Sequence, residues 1–304
     1  MTDADHSTRI APLADRGVVR VAGEDAGKLL QGLVTNDMGL LSGQPAIHAA
    51  LLTPQGKILF DFFIARAEGG FLLETARDKA AELVKRLSLY RLRAKVDIRD
   101  VSDDFRVLAL WGGEPASSGE TAGTVSFADP RLPALGLRIL APAPHAVDVA
   151  AATNGSDATA EDYHAHRIAL GVPEGGRDYA FGDAFPHEAD LDQLAGVSFT
   201  KGCFVGQEVV SRMQNRATVR KRVVPVRGEA PLAPGAESVV GSAVIGSIGS
   251  VAGSGALALV RLDRAAEAVA KGEALQAGGV AVRLVKPQWA RFELVPAAAA
   301  ANPS

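Results

Sequence analysis

The chain has 304 residues, of which 47% are hydrophobic and 22% charged, with a formal net charge of −3. That length calls for two or three domains, and that charge gives no reason to expect direct nucleic-acid binding. The single cysteine, Cys203, excludes an intrachain disulfide and any multi-cysteine metal cage built by this chain alone. The polar start from Met1 to Asp15 shows no signal or transit pattern, and no apolar run reaches membrane-spanning length. The expectation is a soluble, cytoplasmic protein with no membrane partner.

Residues 17–21 read as a strand, and 24–33 as a helix with Ala26, Leu29, Leu30 and Leu33 on one face. Thr35-Asn36-Asp37 ends it with turn chemistry. Residues 46–53 and 58–65 are strands joined by the turn Pro54-Gln55-Gly56-Lys57. A further strand at 71–75 leads to an amphipathic helix at 78–90, followed by strands at 95–99 and 105–111. This order predicts an α+β sandwich with helices on one side of an antiparallel sheet. Residues 112–123 and 141–159 read as loops around a strand at 135–140. A helix at 160–170 is stopped by Gly171 and Pro173, and 172–195 is irregular. From 223 to 295 the chain is rich in Val, Gly and Ala, with short strands at 223–226, 242–250, 256–262 and 280–285. That texture predicts a small β-barrel or sandwich. Residues 296–304 form an alanine-rich tail, expected to fray.

The stretch Lys201-Gly202-Cys203-Phe204-Val205-Gly206-Gln207-Glu208 carries the clearest chemistry. Two glycines frame the thiol, Lys201 lies two positions upstream, and a helix begins near Gln207. A thiolate at a helix N-terminus beside a cation is an activated one; a lone cysteine packing as a small apolar residue is the alternative. Asp61 interrupts the apolar run 58–64 and shares its strand face with Leu59 and Phe63, either at a solvated edge or lining a pocket. Glu188 is a second candidate acid. Arg212 with Arg220-Lys221-Arg222, and Tyr90-Arg91-Leu92-Arg93-Ala94-Lys95, are basic stretches suited to an anionic ligand tail or to solvent. No histidine lies close to Cys203 in sequence, and no glycine-rich nucleotide loop or HExxH pattern is present.

Gly196-Val197-Ser198-Phe199-Thr200 followed by that eight-residue stretch closely resembles the signature of the YgfZ family, folate-binding relatives of the aminomethyltransferase (T-protein) of the glycine cleavage system. Phe204 stands where the family commonly has tyrosine. Leu33-Val34-Thr35-Asn36-Asp37, the hairpin Leu51 to Lys57, and Tyr90-Arg91-Leu92-Arg93 extend the likeness. His166-Arg167-Ile168 through Gly175 is most similar to the branch holding the mitochondrial iron–sulfur assembly factor of the Iba type. The resemblance implies a three-lobed T-protein-like fold: two sandwich lobes, 23–104 and 1–22 with 105–222, then a C-terminal β-barrel at 223–295. It implies an accessory factor that uses tetrahydrofolate and Cys203 in assembling or repairing four-iron four-sulfur proteins, radical tRNA-modifying enzymes among them. The partners implied are folate, iron–sulfur assembly proteins and their client enzymes, with Cys203 as a transient cluster ligand and no resident metal. Asn36, Arg93, Glu188, Lys201, Gly202, Gly206, Gln207, Glu208 and Arg212 are the expected folate contacts, and Asp61 matches the aminomethyltransferase acid. Ala169 replaces an acidic residue that anchors the pterin in relatives. A folate-dependent one-carbon transferase using Asp61 and a noncatalytic scaffold are the alternatives.

Overall fold

A computed structural model describes residues 7–113, 122–216 and 219–294. The centre of the expected loop at 112–123 and the whole tail at 296–304 lie outside the described residues. The chain divides into two compact units, Met1–Tyr163 with Leu194–Gln207, and His164–Gln193 with Glu208–Ser304.

The first unit runs β1 (Arg9–Pro12), β2 (Arg16–Ala22), α1 (Ala26–Leu33), β3 (Ala46–Leu52), β4 (Ile58–Ala67), β5 (Gly70–Ala76), α2 (Ala80–Arg91), β6 (Asp97–Asp100), β7 (Phe105–Trp111), β8 (Val125–Ala128), β9 (Leu137–Pro142), α3 (Ala146–Ala152) and β10 (Ser156–Asp157). Its first sheet has the order β3-β4-β5-β2-β6, all antiparallel. Alternation along β4 sends Phe60, Phe62 and Ile64 into a core with Leu30 and Leu33 of α1 and Leu83 and Leu87 of α2. Asp61 and Phe63 therefore face the other way. The second sheet, β10-β1-β7-β9-β8, buries Ile10, Leu108, Leu110 and Ile139 with Ala146 and Val149 of α3. The free faces of the two sheets meet: Phe63 packs edge-on to Phe127 at 5.9 Å, and Arg138 of β9 reaches Glu74 of β5 at 3.5 Å.

Two expectations change here. Strand β2 pairs within the first sheet, so that lobe starts before residue 23. The stretch 141–159 holds α3 and β10 rather than a loop, because Pro142 and Pro144 precede the first helical turn, where a missing N–H costs nothing, and do not break the helix.

The chain enters the second unit within α4 (Ala160–Leu170), and α5 (Gln207–Arg216) leads to a closed barrel. The barrel strands are β11 (Lys221–Gly228), β12 (Glu237–Val240), β13 (Ala243–Ala252), β14 (Gly255–Arg261), β15 (Leu275–Ala277) and β16 (Val280–Leu284), with α6 (Leu262–Ala270) between β14 and β15. Val224, Val226, Ile245, Ile248, Ala258, Val260 and Leu275 fill its core. Residues His164–Gln193 belong with this barrel and Leu194–Gln207 with the first unit, so the unit boundary does not fall at 222. Fully buried Arg167 bonds Asp178 at 2.6 Å and Ser250 Oγ at 2.8 Å, and Arg222 bonds Asp190 at 2.8 Å and Asp192 at 2.9 Å. Each buried guanidinium is matched by carboxylates, which removing one partner would leave unpaired.

Candidate functional site

The cysteine loop is fastened to the Thr35-Asn36 turn. Thr35 Oγ1 donates to the Gly196 carbonyl at 2.6 Å and accepts from the Ala50 N–H at 2.8 Å; the Ser198 N–H donates to the Thr35 carbonyl at 3.0 Å. The Asn36 amide donates to the carbonyls of His48 at 2.8 Å and Ala195 at 2.7 Å, and its oxygen accepts from the Asp37 N–H. His48 Nδ1 lies 3.1 Å from the Leu194 carbonyl. Lys201 completes the clamp: its Nζ donates to the carbonyls of Gln31 at 2.7 Å, Val34 at 2.7 Å and Asn36 at 2.8 Å. An ammonium has three donors; two go to the Gln31 and Val34 carbonyls at the C-terminal end of α1, where the helix leaves carbonyls without partners, and the third to the Asn36 carbonyl in the turn beyond. A cation there also complements the helix dipole. Burial pulls the Lys201 pKa down to about 8, opposed by Asp37.

Cys203 follows on an exposed turn. Downstream, Val205 packs against the first sheet's core, and Gly206 takes φ +82° with its backbone so close to the β3–β4 hairpin that a Cβ would meet the Thr53 carbonyl at 2.6 Å. Gly202 differs: no atom lies within 4 Å of where its Cβ would stand. The loop is thus pinned before and after an open, two-residue tip that carries the thiol. Neither expected activating group is arranged as predicted. Lys201 points inward to the carbonyls, and a turn through Gly206 separates the thiol from the first helical residue, Gln207.

The matched sequence families are the GCVT N-terminal domain over residues 8–122 and the CAF17 C-terminal beta-barrel domain over residues 220–292. The mitochondrial iron–sulfur cluster assembly factor IBA57 of Homo sapiens is 36% identical over 261 residues, covering 79% of this chain and 72% of that protein. The chain belongs to the IBA57 family. An IBA57 homolog of Mycosarcoma maydis is 38% identical over 231 residues, and one of Neurospora crassa 32% over 255; the chain spans 57% of each of these longer proteins. The crystal structure of glycine cleavage system aminomethyltransferase T from Bartonella henselae superposes with a TM-score of 0.75 at 17% identity over 93% of this chain and 86% of that one, which establishes the T-protein fold. These IBA57 relatives are named as mitochondrial, which corrects the expected cytoplasmic location. A lone cysteine and a near-neutral charge describe chemistry common to several compartments and could not have separated them.

In this IBA57-family chain the remaining candidate residues scatter. Glu208 and Arg212 pair with each other at 2.6 Å on the exposed face of α5. Glu188 accepts from the Phe185 N–H at 2.9 Å, a local turn bond. Gln207 opens α5, and exposed Arg93 lies beyond α2, lining a surface groove with Tyr90. Asp61 is 7% exposed on the face where the two sheets meet; burial first, then Arg131, pushes the His48 pKa down to about 4, opposed by the charge of Asp61. The cluster around it was missed from sequence: Asp129 takes a bidentate bond from Arg131, and Arg138 bridges Glu74 and the Tyr163 hydroxyl. Its only sequence signal is arginine or acid at inward positions of short strands.

Tetrahydrofolate, which the family likeness implies, fits these residues poorly. Ala169 is an exposed methyl on α4 with nothing to bond a pterin, Lys201 and Asn36 use their donors within the protein, and one oxygen of Glu188 takes a local turn bond. Asp61 alone of the expected contacts is a buried acid facing inward.

Proposed function

We propose that the chain assists in assembling or repairing iron–sulfur clusters, four-iron four-sulfur clusters among them, and that Cys203 is the thiolate it lends to a cluster in transit. The observation that carries this is the division of labour within one loop. Lys201, Thr35 and Asn36 are committed to holding the backbone, while the thiol two residues from Lys201 stands exposed on a fixed tip. Thiolates are the usual ligands of such clusters, and one thiolate holds one corner. Among the described residues no group of three or more His, Cys, Asp or Glu converges, so the other corners belong to a partner protein or a small thiol. In the step, the Cys203 thiol loses its proton and its sulfur displaces one bound thiolate from an iron, and the departing thiolate takes up a proton. A client cysteine then loses its proton and displaces Cys203, whose thiolate is protonated as it leaves. The relatives' name as iron–sulfur cluster assembly factors supports this reading.

Mixing the purified chain with a four-iron four-sulfur cluster held by a small thiol tests it. Visible circular dichroism grows when a chiral protein ligand enters the cluster; the signal is expected with the wild type and absent with Cys203→Ser. No signal from the wild type overturns the reading. Radical tRNA-modifying enzymes as clients predict that methylthiolated tRNA falls in a strain lacking the chain. A second reading, one-carbon transfer from tetrahydrofolate with Asp61 as the orienting acid, is favoured only by the burial of that carboxylate. Calorimetry with tetrahydrofolate decides it: binding lost in Asp61→Asn supports it, and no binding by the wild type removes it.

A further inference from the structure

We propose that a groove at the α1–α2 end of the first unit docks an acidic, leucine-bearing segment of a partner protein. The groove encloses about 460 Å³. Leu29, Leu33, Tyr90 and Ala94 form its floor, and Gly32 leaves one side open because no atom lies within 4 Å of its Cβ position. Exposed Lys28, Arg91 and Arg93 stand along the rim. The one acid in the lining, Asp25, is committed to accepting the Lys95 N–H at 2.8 Å. Among the described residues neither Lys28 nor Arg93 has an ionic partner. An apolar trough with uncompensated cations is complementary to an apolar ligand flanked by acids.

A second feature points the same way. Leu92, which lines the groove, has φ 44° and ψ −108°, a backbone conformation that residues bearing side chains avoid, and its side chain is 87% exposed. Leu89, three residues earlier, is 69% exposed. The fold therefore holds Leu92 in water at the groove against backbone preference, with a second exposed leucine three residues before it. Such outliers persist where the surroundings impose them and a function uses them. A groove with an apolar floor and three cations on its rim suits a peptide segment that pairs leucines with acids better than a lipid surface, which would meet a broad basic face.

The groove also adjoins the proposed cluster site. Gly32 and Leu33 belong to the helical turn whose Gln31 and Val34 carbonyls hold Lys201. A partner seated there grips the same turn that positions the Cys203 loop. The proposal rests on the cluster-assembly reading only for the purpose of the docking, not for the docking itself.

Fluorescence anisotropy with the full chain tests it, using the labelled peptide Glu-Leu-Glu-Asp-Leu-Glu-Glu as probe. Saturable binding is expected, weakened about tenfold or more by Lys28→Glu with Arg93→Glu and by raised salt. Leu92→Gly relieves the backbone and preserves the fold, so it weakens binding without lowering the melting temperature. Cys203→Ser leaves binding unchanged, which separates this proposal from the cluster reading: either can fail with the other intact. Absence of saturable binding up to about 1 mM overturns the proposal, as does equal affinity in the variants. Hexaglutamate binding as tightly as the probe, or displacement of the probe by phosphatidylserine–phosphatidylcholine vesicles, overturns it in favour of a bare anion or a membrane surface.

Discussion

Around Cys203 the polar side chains turn inward to bind backbone and the thiol turns out; between the two sheets of the same unit the polar side chains bind one another. Arg16 meets Glu74 at 3.0 Å, Arg131 meets Asp129 at 2.7 Å, and Arg138 meets the Tyr163 hydroxyl at 2.9 Å, all within a buried layer. There the charges neutralise what folding has desolvated. In the loop the fixed groups complete a helix end, and the reactive group is the one the scaffold does not use. A charged residue in a recognisable motif is thus no guide to chemistry until its hydrogen bonds are counted. Lys201 reads from sequence as an activator of the thiol, and its three bonds make it a bolt instead.

The largest effect that could break this contrast is Lys201→Met. Three buried carbonyls lose their donor, and a loss of about 4 kcal/mol is expected in chemical denaturation. Cys203→Ser, altering an exposed side chain, should stay within about 0.5 kcal/mol. Near-equal stabilities for the two variants would erase the distinction between frame and tip.

The interior makes its own prediction through His48. Its pKa in the folded chain is depressed to about 4, so between there and 6.5 the unfolded chain binds more protons and stability falls as pH falls. About 3 kcal/mol should be lost across that window, and His48→Gln should flatten the profile. Unfolding midpoints measured from pH 7 to 4 check it; an unchanged slope in the variant would show that the imidazole is not buried neutral.

The two glycines of the motif sharpen the comparison at the smallest scale. Gly206→Ala forces a Cβ onto the Thr53 carbonyl at positive φ and should cost about 2 kcal/mol. Gly202→Ala meets nothing within 4 Å and should change stability by no more than about 0.5 kcal/mol. Any loss of cluster transfer in that variant then reports on what must approach the thiol.

How much of this was legible in the sequence follows from the range of each interaction. Alternation across 58–65 gave β4 and set Asp61 and Phe63 opposite Phe60, Phe62 and Ile64, but it left open whether Asp61 was solvated, and Leu59 packs with the other face's core. Strand β8, four residues of Val-Ser-Phe-Ala, is too short to show a period, and α3 hid behind prolines that stand just outside it. The Cys203 motif was visible, but its frame was not. Asn36 and Ala195 are 159 positions apart, and Lys201 and Val34 are 167 apart, so neither bond leaves a local pattern. Among the expected folate contacts, Asn36 and Lys201 are claimed by partners distant in sequence, whereas Glu188 and Glu208 bond within four positions of themselves.

The most direct test of the central claim is the activity of an aconitase-type four-iron four-sulfur enzyme in a strain lacking this chain and supplied with Cys203→Ser. The account predicts activity no higher than in the unsupplemented strain, with the variant accumulating and melting as the wild type does. Full restoration of activity by Cys203→Ser would contradict it.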